Sequence, residues 1–150
     1  MKVLIAGGGI GGLATALSLH HVGIDVEIVE QSQEIRELGV GINVLPHAIS
    51  VLAGLGLLPA LDRAGIRVRE LVYCNRFGQT VWNELRGTDA GYDVPQFSIH
   101  RGKLLGVVHR AVVDRLRPAR LHTASRLVGF AQRGDRVVAL DGNPDAGTLG

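Results

Sequence analysis

Three glycines near the start of the chain, Gly7, Gly9 and Gly12, have the spacing G-x-G-x-x-G. This spacing suits a tight turn whose backbone N–H groups face a diphosphate at the positive end of a helix dipole. The first glycine permits the bend, the second lets the backbone approach the anion, and the third lets the helix pack against a strand. We therefore predict a nucleotide-binding turn that also includes Ile10 and Gly11.

A carboxylate follows at the end of the next apolar segment. Glu30 comes after the glycines at close to the roughly 20-residue spacing of an acid that accepts hydrogen bonds from a ribose hydroxyl. Because a carboxylate there would repel a 2′-phosphate, the sequence favours an adenosine with a free ribose, as in NAD or FAD. The neighbouring Gln31 is included in the predicted site.

The elements needed to position these residues can be recognised in the sequence. Residues 3–7 form a short apolar run that predicts a strand buried on both faces. Residues 11–21 carry apolar side chains at helical spacing, and Gly23 follows as a helix-terminating residue. The β-branched residues of 24–30 predict a second strand. Strand, turn, helix and strand make one βαβ unit, so the predicted fold class is α/β with a Rossmann-like beginning.

Beyond residue 31 the sequence does not repeat that unit. Pro46 suits the first turn of a helix, and the apolar helical stretch after it is predicted to break near Pro59. Residues 66–73 and 79–85 predict a β-hairpin around the sequence NRFGQ. This predicts an inserted hairpin with accompanying helices.

The last third of the chain predicts a helix and a hairpin. Residues 97–99 are a short extended piece, and five apolar residues after them fall on one helical face: Leu104, Leu105, Val108, Val112 and Leu116. The RGD sequence at 133–135 predicts a tight turn between two strands. The sequence LDGNPDAG at 140–147 predicts a further turn.

Composition excludes several classes of protein. The 150 residues are 46% hydrophobic and 20% charged, which is typical of one globular domain. The net charge is +2, the 14 arginines are scattered and only 4% of residues are aromatic, so a nucleic-acid partner is not expected. No apolar run approaches the roughly 18 residues of a membrane span. The single cysteine fits a reducing cytoplasm, and the six histidines lack the spacing of metal ligands.

The segment EQSQEIRELGVGINVLPHAISVLAGLGL at 30–57 resembles the class A flavin-dependent aromatic hydroxylases, which are FAD-dependent monooxygenases. In that family the ribose-binding acid is followed by an arginine, then by a Gly-x-Gly-Ile loop beside the flavin, then by a helix with a Leu-Gly pair. The corresponding residues here are Arg36, Gly39, Gly41, Ile42 and the pair Leu55-Gly56.

Two later segments extend the resemblance. SIHRGKLLGVVHRA at 98–111 resembles the family's second arginine and its leucine-rich helix, which implies a cofactor role for Arg101. SRLVGF at 125–130 resembles the strand whose backbone meets the adenine, which implies a contact at Leu127. The SQEIRELGVGIN, TVW and FSIHRG segments are most similar to the phenazine hydroxylase branch.

Elementary chemistry agrees with these roles. Guanidinium groups form paired hydrogen bonds with phosphate oxygens, so Arg36 and Arg101 suit a diphosphate. Glycine at positions 39 and 41 would let the backbone approach a flat ring where a side chain would collide.

The resemblance implies FAD as the cofactor and NAD(P)H as co-substrate in the O2-dependent hydroxylation of a small aromatic, phenazine-like compound. The family's later flavin motifs and substrate domain are not found in residues 1–150, so the chain is expected to be the N-terminal part of an FAD-binding domain. We expect little or no hydroxylase activity from it alone, and no catalytic residue is assigned. The glycine turn also leaves open an NAD-dependent dehydrogenase, which the irregular 31–100 region disfavours, or a non-catalytic nucleotide-binding fragment. The oligomeric state is left open.

Overall fold

The computed structural model describes residues 1–142. It divides into a first unit, Met1–Arg36 with Val108–Gly150, and a second unit, Glu37–Val107. Within the described residues, no helix is both long enough and apolar enough to cross a membrane.

Ten strands, four α-helices and two short 3-10 helices make up the described residues. In chain order they are β1 (Lys2–Ala6), α1 (Ile10–His21), β2 (Asp25–Val29), β3 (Gly41–Val44), α2 (Pro46–Gly54), α3 (Leu58–Ala64), β4 (Ile66–Val68), β5 (Glu70–Cys74), β6 (Thr80–Leu85), a 3-10 helix (Gly87–Ala90), β7 (Gln96–His100), α4 (Arg101–Arg115), a 3-10 helix (Pro118–Arg120), β8 (Leu121–His122), β9 (Leu127–Arg133) and β10 (Arg136–Asp141).

The first unit begins with the predicted βαβ arrangement. Strands β1 and β2 pair in parallel from Lys2 opposite Asp25 to Ala6 opposite Val29, and β8 pairs in parallel with the far edge of β2. Helix α1 is the crossover between β1 and β2, and it ends before Gly23, whose φ of +78° suits glycine. The α/β class and this unit are confirmed.

Strand β1 differs from its prediction in burial. We expected a strand buried on both faces, but Val3 and Ile5 are half-buried while Leu4 and Ala6 are exposed. The reason is position, because among the described strands β1 is an edge that pairs with β2 alone. The central strand β2 supplies the buried side chains instead.

A second sheet in the first unit is the β9–β10 hairpin. The strands are antiparallel, and Gly134 turns the chain between them with a φ of +63°, as predicted for the RGD sequence. Strand β10 continues to Asp141, so the beginning of the turn predicted at 140–147 is wrong. The rest of that prediction, from residue 143, lies outside the described residues.

The second unit is built on the antiparallel sheet β3-β7-β4. Its central strand β7 contributes Phe97 and Ile99, which are 0% and 3% exposed, to the core. The predicted strand 66–73 is in fact two strands, since β4 pairs with β7 whereas β5 pairs with β6. A local apolar pattern cannot show that the two halves have different partners.

Helices complete the second unit. Helix α2 begins at Pro46 as predicted. The predicted break in the helical stretch is present, but it lies at Gly56, whose φ is +73°, a few residues before Pro59. Pro59 instead occupies the first turn of α3, where a missing N–H leaves no helix hydrogen bond unmade.

Helix α4 confirms the predicted apolar face. Its N-terminal end follows directly on β7, and the helix runs for 15 residues. All five residues assigned to the face are buried: Leu104, Leu105, Val108, Val112 and Leu116.

Candidate nucleotide-binding site

The glycine turn joins β1 to α1 in the geometry that its spacing predicts. Gly7 has a φ of +108° and donates its N–H to the Val29 carbonyl oxygen at 2.7 Å, which ties the turn to β2. A Cβ added to Gly12 would overlap the Gly7 carbonyl oxygen and lie 3.3 Å from Cγ2 of Ile5. The positive φ of Gly7 and the lack of space for a side chain at Gly12 are what the predicted bending and packing roles require.

The start of α1 offers backbone donors. Gly9 is the N-cap in an extended conformation, no side chain caps the helix, and no acidic residue lies in its first turn. A Cβ on Gly7, Gly9 or Gly11 would meet no atom within 4 Å, so the backbone around the turn, with Ile10 half-buried in it, is open to a ligand. Uncapped N–H groups at the positive end of a helix are the donor set that a diphosphate requires.

Glu30 is hydrogen-bonded to this turn. One oxygen of its carboxylate accepts the Gly8 N–H at 2.7 Å, and the other accepts the Ser32 N–H at 2.8 Å. The Ser32 and Gly8 N–H groups hold the pKa of Glu30 below its ordinary value, so the carboxylate is ionised at neutral pH. An ionised carboxylate only accepts hydrogen bonds and has about four acceptor sites on its two oxygens, so it suits the hydroxyl donors of a ribose.

The main chain around Glu30 is held as firmly as its side chain. Its N–H donates to the His122 carbonyl at 2.8 Å, and its carbonyl accepts the Ser125 N–H at 3.0 Å. Gly8 packs closely on the other side, because an added Cβ there would lie 3.1 Å from Cβ of Glu30 and 3.0 Å from Cδ1 of Ile35. The structure thus brings the predicted acid and the predicted turn together.

Leu127 lies near the same strand end. It begins β9, is 37% exposed, and lines a small hollow with four residues of the first unit: Val29, Ser125, Ala139 and Asp141. Because Val29 directly precedes Glu30, the hollow adjoins the predicted ribose position. Sequence reasoning named only Leu127 here, since the other residues come from β2, from β10 and from the segment before β9, which no local pattern brings together.

Two predicted residues of the first unit are at the surface. Gln31 is exposed. Arg36 is also exposed, and its Nε forms an ion pair with Oε2 of Glu34 at 3.2 Å. The side-chain partner of Arg36 in the structure is thus a surface carboxylate that sequence reasoning did not name, and a role of Arg36 toward phosphate stays a prediction.

The second unit brings Gly41, Ile42 and Arg101 together. In the β3–β7 ladder Gly41 lies opposite His100 and Ile42 opposite Ile99, so the loop before β3 ends beside the start of α4. The Arg101 N–H donates to the Val40 carbonyl at 2.9 Å. The loop and the arginine, separated widely in sequence, are neighbours in the fold.

Glycine at position 39 allows the loop before β3 to lie this close to Arg101. Its φ of +139° is a conformation that side chains rarely adopt, and an added Cβ would lie 3.0 Å from Cβ of Arg101. The Gly102 N–H donates to Nδ1 of His100 at 3.1 Å, so the imidazole side chain satisfies a donor at the helix start. Metal-ligand clusters of three or more His, Cys, Asp or Glu residues are absent from residues 1–142.

Comparison with known proteins gives a family match. The model of the family described as FAD binding domain matches residues 1–141. The chain is 47% identical over 142 residues to phenazine 1,6-dicarboxylic acid hydroxylase PhzS of Lysobacter antibioticus, covering 93% of this chain and 35% of that protein. It is 32% identical to salicylate hydroxylase of Pseudomonas putida, covering 93% of this chain and 32% of that protein. The chain spans about a third of the length of these curated relatives.

A solved structure gives the same answer for the fold. The crystal structure of Klebsiella pneumoniae HpxO complexed with FAD and uric acid superimposes with a TM-score of 0.80 and 21% sequence identity. The match covers 99% of this chain and 37% of that one. At this identity the likeness shows the fold alone.

Proposed function

Because the chain belongs to the FAD-binding domain family of the flavin-dependent aromatic hydroxylases, we propose that it forms the cofactor-binding part of an FAD-dependent monooxygenase. The proposed reaction places one oxygen atom of O2 on a small aromatic substrate, with NAD(P)H as the electron donor. The likeness to the phenazine hydroxylase favours a phenazine-like compound as that substrate. The one cysteine, an exposed free thiol, favours the cytoplasm as its location.

One observation carries the cofactor proposal: the ionised Glu30 carboxylate accepts the Gly8 N–H at 2.7 Å beside an uncapped helix start. A carboxylate that could accept hydrogen bonds from a ribose and backbone N–H groups that could donate to a diphosphate therefore belong to one Rossmann-like βαβ unit. In this proposal Gly9, Ile10, Gly11 and Gly12 face the diphosphate. Glu30 and Gln31 then face the ribose, and Leu127 lies beside the adenine.

The second unit is proposed to hold the flavin end. The backbone of Gly41 and Ile42 would lie against the ring, where the missing side chain of Gly41 leaves space. Arg36 and Arg101 would bind phosphate oxygens through their guanidinium groups. We propose that the β5–β6 hairpin is the predicted insertion, and we assign it no role with the cofactor.

Bound FAD would supply the redox chemistry that activates O2, and the residues of this chain would bind and orient it. No residue in the chain is proposed as a catalytic acid or base. We propose that the chain corresponds to the N-terminal third of its relatives and that the substrate domain is contributed by other sequence. The chain alone is then expected to bind FAD with little or no hydroxylase activity.

Titration of the 150-residue chain with FAD, followed by quenching of flavin fluorescence, tests the proposal. We expect saturable binding that Glu30→Gln weakens about tenfold, since hydrogen bonds to a charged group contribute roughly 1.5–3 kcal/mol. Glu70→Gln, at an exposed strand position of the second unit, is the matched control and should bind like the wild type.

A parallel titration with NADH separates the alternatives. Binding of NADH without FAD would replace the proposal with an NAD-dependent dehydrogenase. Binding of neither nucleotide would leave a fragment without cofactor affinity.

A further inference from the structure

Helix α4 carries two glycines one turn apart, although glycine is less favourable than alanine inside a helix. Both Gly102 and Gly106 are buried. A Cβ added to Gly102 would overlap the main-chain carbonyl of Glu37, and a Cβ added to Gly106 would overlap a carboxylate oxygen of Glu37. The two glycines therefore form a glycine groove, and Glu37 occupies it with its main chain and its side chain.

Glu37 begins the loop 37–41, which makes further contacts with the same end of α4. The Val40 carbonyl accepts the Arg101 N–H at 2.9 Å. Gly39 approaches so closely that an added Cβ would lie 3.0 Å from Cβ of Arg101. The loop thus contacts the first two turns of the helix at three of its positions, Glu37, Gly39 and Val40.

Apolar packing does not explain how this loop is held. Leu38 and Val40 are 66% and 72% exposed, and the glycines at 39 and 41 have no side chain to bury. A segment of this kind has high conformational freedom unless its ends are anchored. Within the described residues, the anchor at the start of the loop is Glu37 in the glycine groove.

We infer that Glu37 is a positioning residue for the cofactor. Seated in the glycine groove, it holds the loop 37–41 and the stem of Arg101 in the arrangement that the flavin end of the cofactor requires. A loop ordered before binding loses less conformational entropy when the cofactor binds. This inference rests on the proposed function and gives Glu37 no contact with the cofactor.

The two glycines contact different parts of Glu37, so their substitutions have different consequences. Alanine at 102 collides with main chain and displaces the loop whatever side chain stands at 37. Alanine at 106 collides with the end of a flexible side chain, which can rotate away. Gly106→Ala should therefore have the same effect as removing the Glu37 side chain.

Hydrogen–deuterium exchange of peptides covering 37–42 and the FAD dissociation constant are measured together. We expect Gly102→Ala to raise exchange in this segment and to weaken FAD binding about tenfold. Gly54→Ala in α2 is the matched control, because its added Cβ meets nothing within 4 Å, and it should match the wild type in both measurements.

A double-mutant cycle distinguishes a positioning role of Glu37 from a merely structural role. We expect Glu37→Ala, Gly106→Ala and the double variant each to weaken FAD binding about threefold, since all three remove the same contact. Additive losses in the double variant would overturn the inference. Circular dichroism checks that each variant is folded, and if Gly102→Ala does not fold the cycle decides alone.

Hydrogen–deuterium exchange tests the role of Glu37 independently of the proposed function, because it does not require FAD to bind. If the wild-type chain binds no FAD, the proposed function fails, while exchange in 37–42 still tests the role of Glu37. Exchange that is unchanged in both Gly102→Ala and Glu37→Ala overturns the inference, whatever the cofactor titration gives.

Discussion

The two regions proposed to bind the cofactor are held in place by different means. The turn at Gly7–Gly12 is tied to its own βαβ unit, because Gly8 and Gly7 donate to Glu30 and Val29 at the end of the adjacent strand. The loop 37–41 instead rests on a helix that begins only at Arg101. The turn is thus held by hydrogen bonds to the next strand of its own βαβ unit, and the loop by contacts with a helix that begins much farther along the chain.

Gly12→Ala would break the first region and has the largest expected effect. Its Cβ would overlap the Gly7 carbonyl oxygen, and neither atom can rotate away, because the Cβ is fixed on the Cα of α1 and the oxygen belongs to the main chain of the turn. We expect a loss of about 3 kcal/mol in the free energy of unfolding, measured by urea denaturation. Gly11→Ala, with open space around its Cβ, is the control, and equal stability of the two variants would contradict the packing role.

Gly39→Ala and Gly41→Ala test whether the loop 37–41 needs glycine for its conformation and for binding the cofactor. Gly39 has a positive φ, so alanine there should cost about 1–2 kcal/mol of stability. Alanine at Gly41 meets no atom within 4 Å and should leave stability unchanged. Both variants should weaken FAD binding, and unchanged binding in Gly41→Ala would show that the ring does not lie against this residue.

Acid should affect the first region through Glu30, with a smaller effect than either substitution. Because the folded state holds the pKa of Glu30 below its ordinary value of 4.5, its contribution to stability is present above that value. The contribution is lost as the pH falls through the lower pKa of the folded state. We expect Glu30→Gln to reduce the loss of stability below about pH 4.5 in urea denaturation, relative to Glu70→Gln. The same pH dependence in both variants would contradict the proposed anchoring of the turn.

The sequence predicts the first region well for a physical reason. The glycine spacing, the periodicity of α1 and the position of Glu30 are all local, and the structure brings these residues together as expected. The resemblance to a family assigned both the loop before β3 and Arg101 to the cofactor, but it did not predict their contact with each other, which no local pattern contains. Both arginines were assigned to phosphate, yet Arg36 pairs with Glu34 in the structure.

What the sequence did not predict depends on long-range pairing. The division of 66–73 into two strands and the contact of Glu37 with α4 each depend on a partner distant in sequence. The exposure of β1 depends on its edge position in the sheet, which its own residues do not reveal. The glycines at 102 and 106 were a detectable signal, because two glycines one turn apart inside a helix call for a close neighbour. They did not indicate which segment that neighbour was.

The bond between Glu30 and Gly8 has a consequence for altering nucleotide preference. A designer who wished to admit a ribose bearing a 2′-phosphate would first replace the acid, because its negative charge opposes the phosphate. Replacement by a residue without a side-chain oxygen would also release the amide of Gly8 and loosen the bend. Preference for the unphosphorylated ribose and rigidity of the bend therefore depend on one side chain, and a changed preference would need a second substitution that restores an acceptor for that amide.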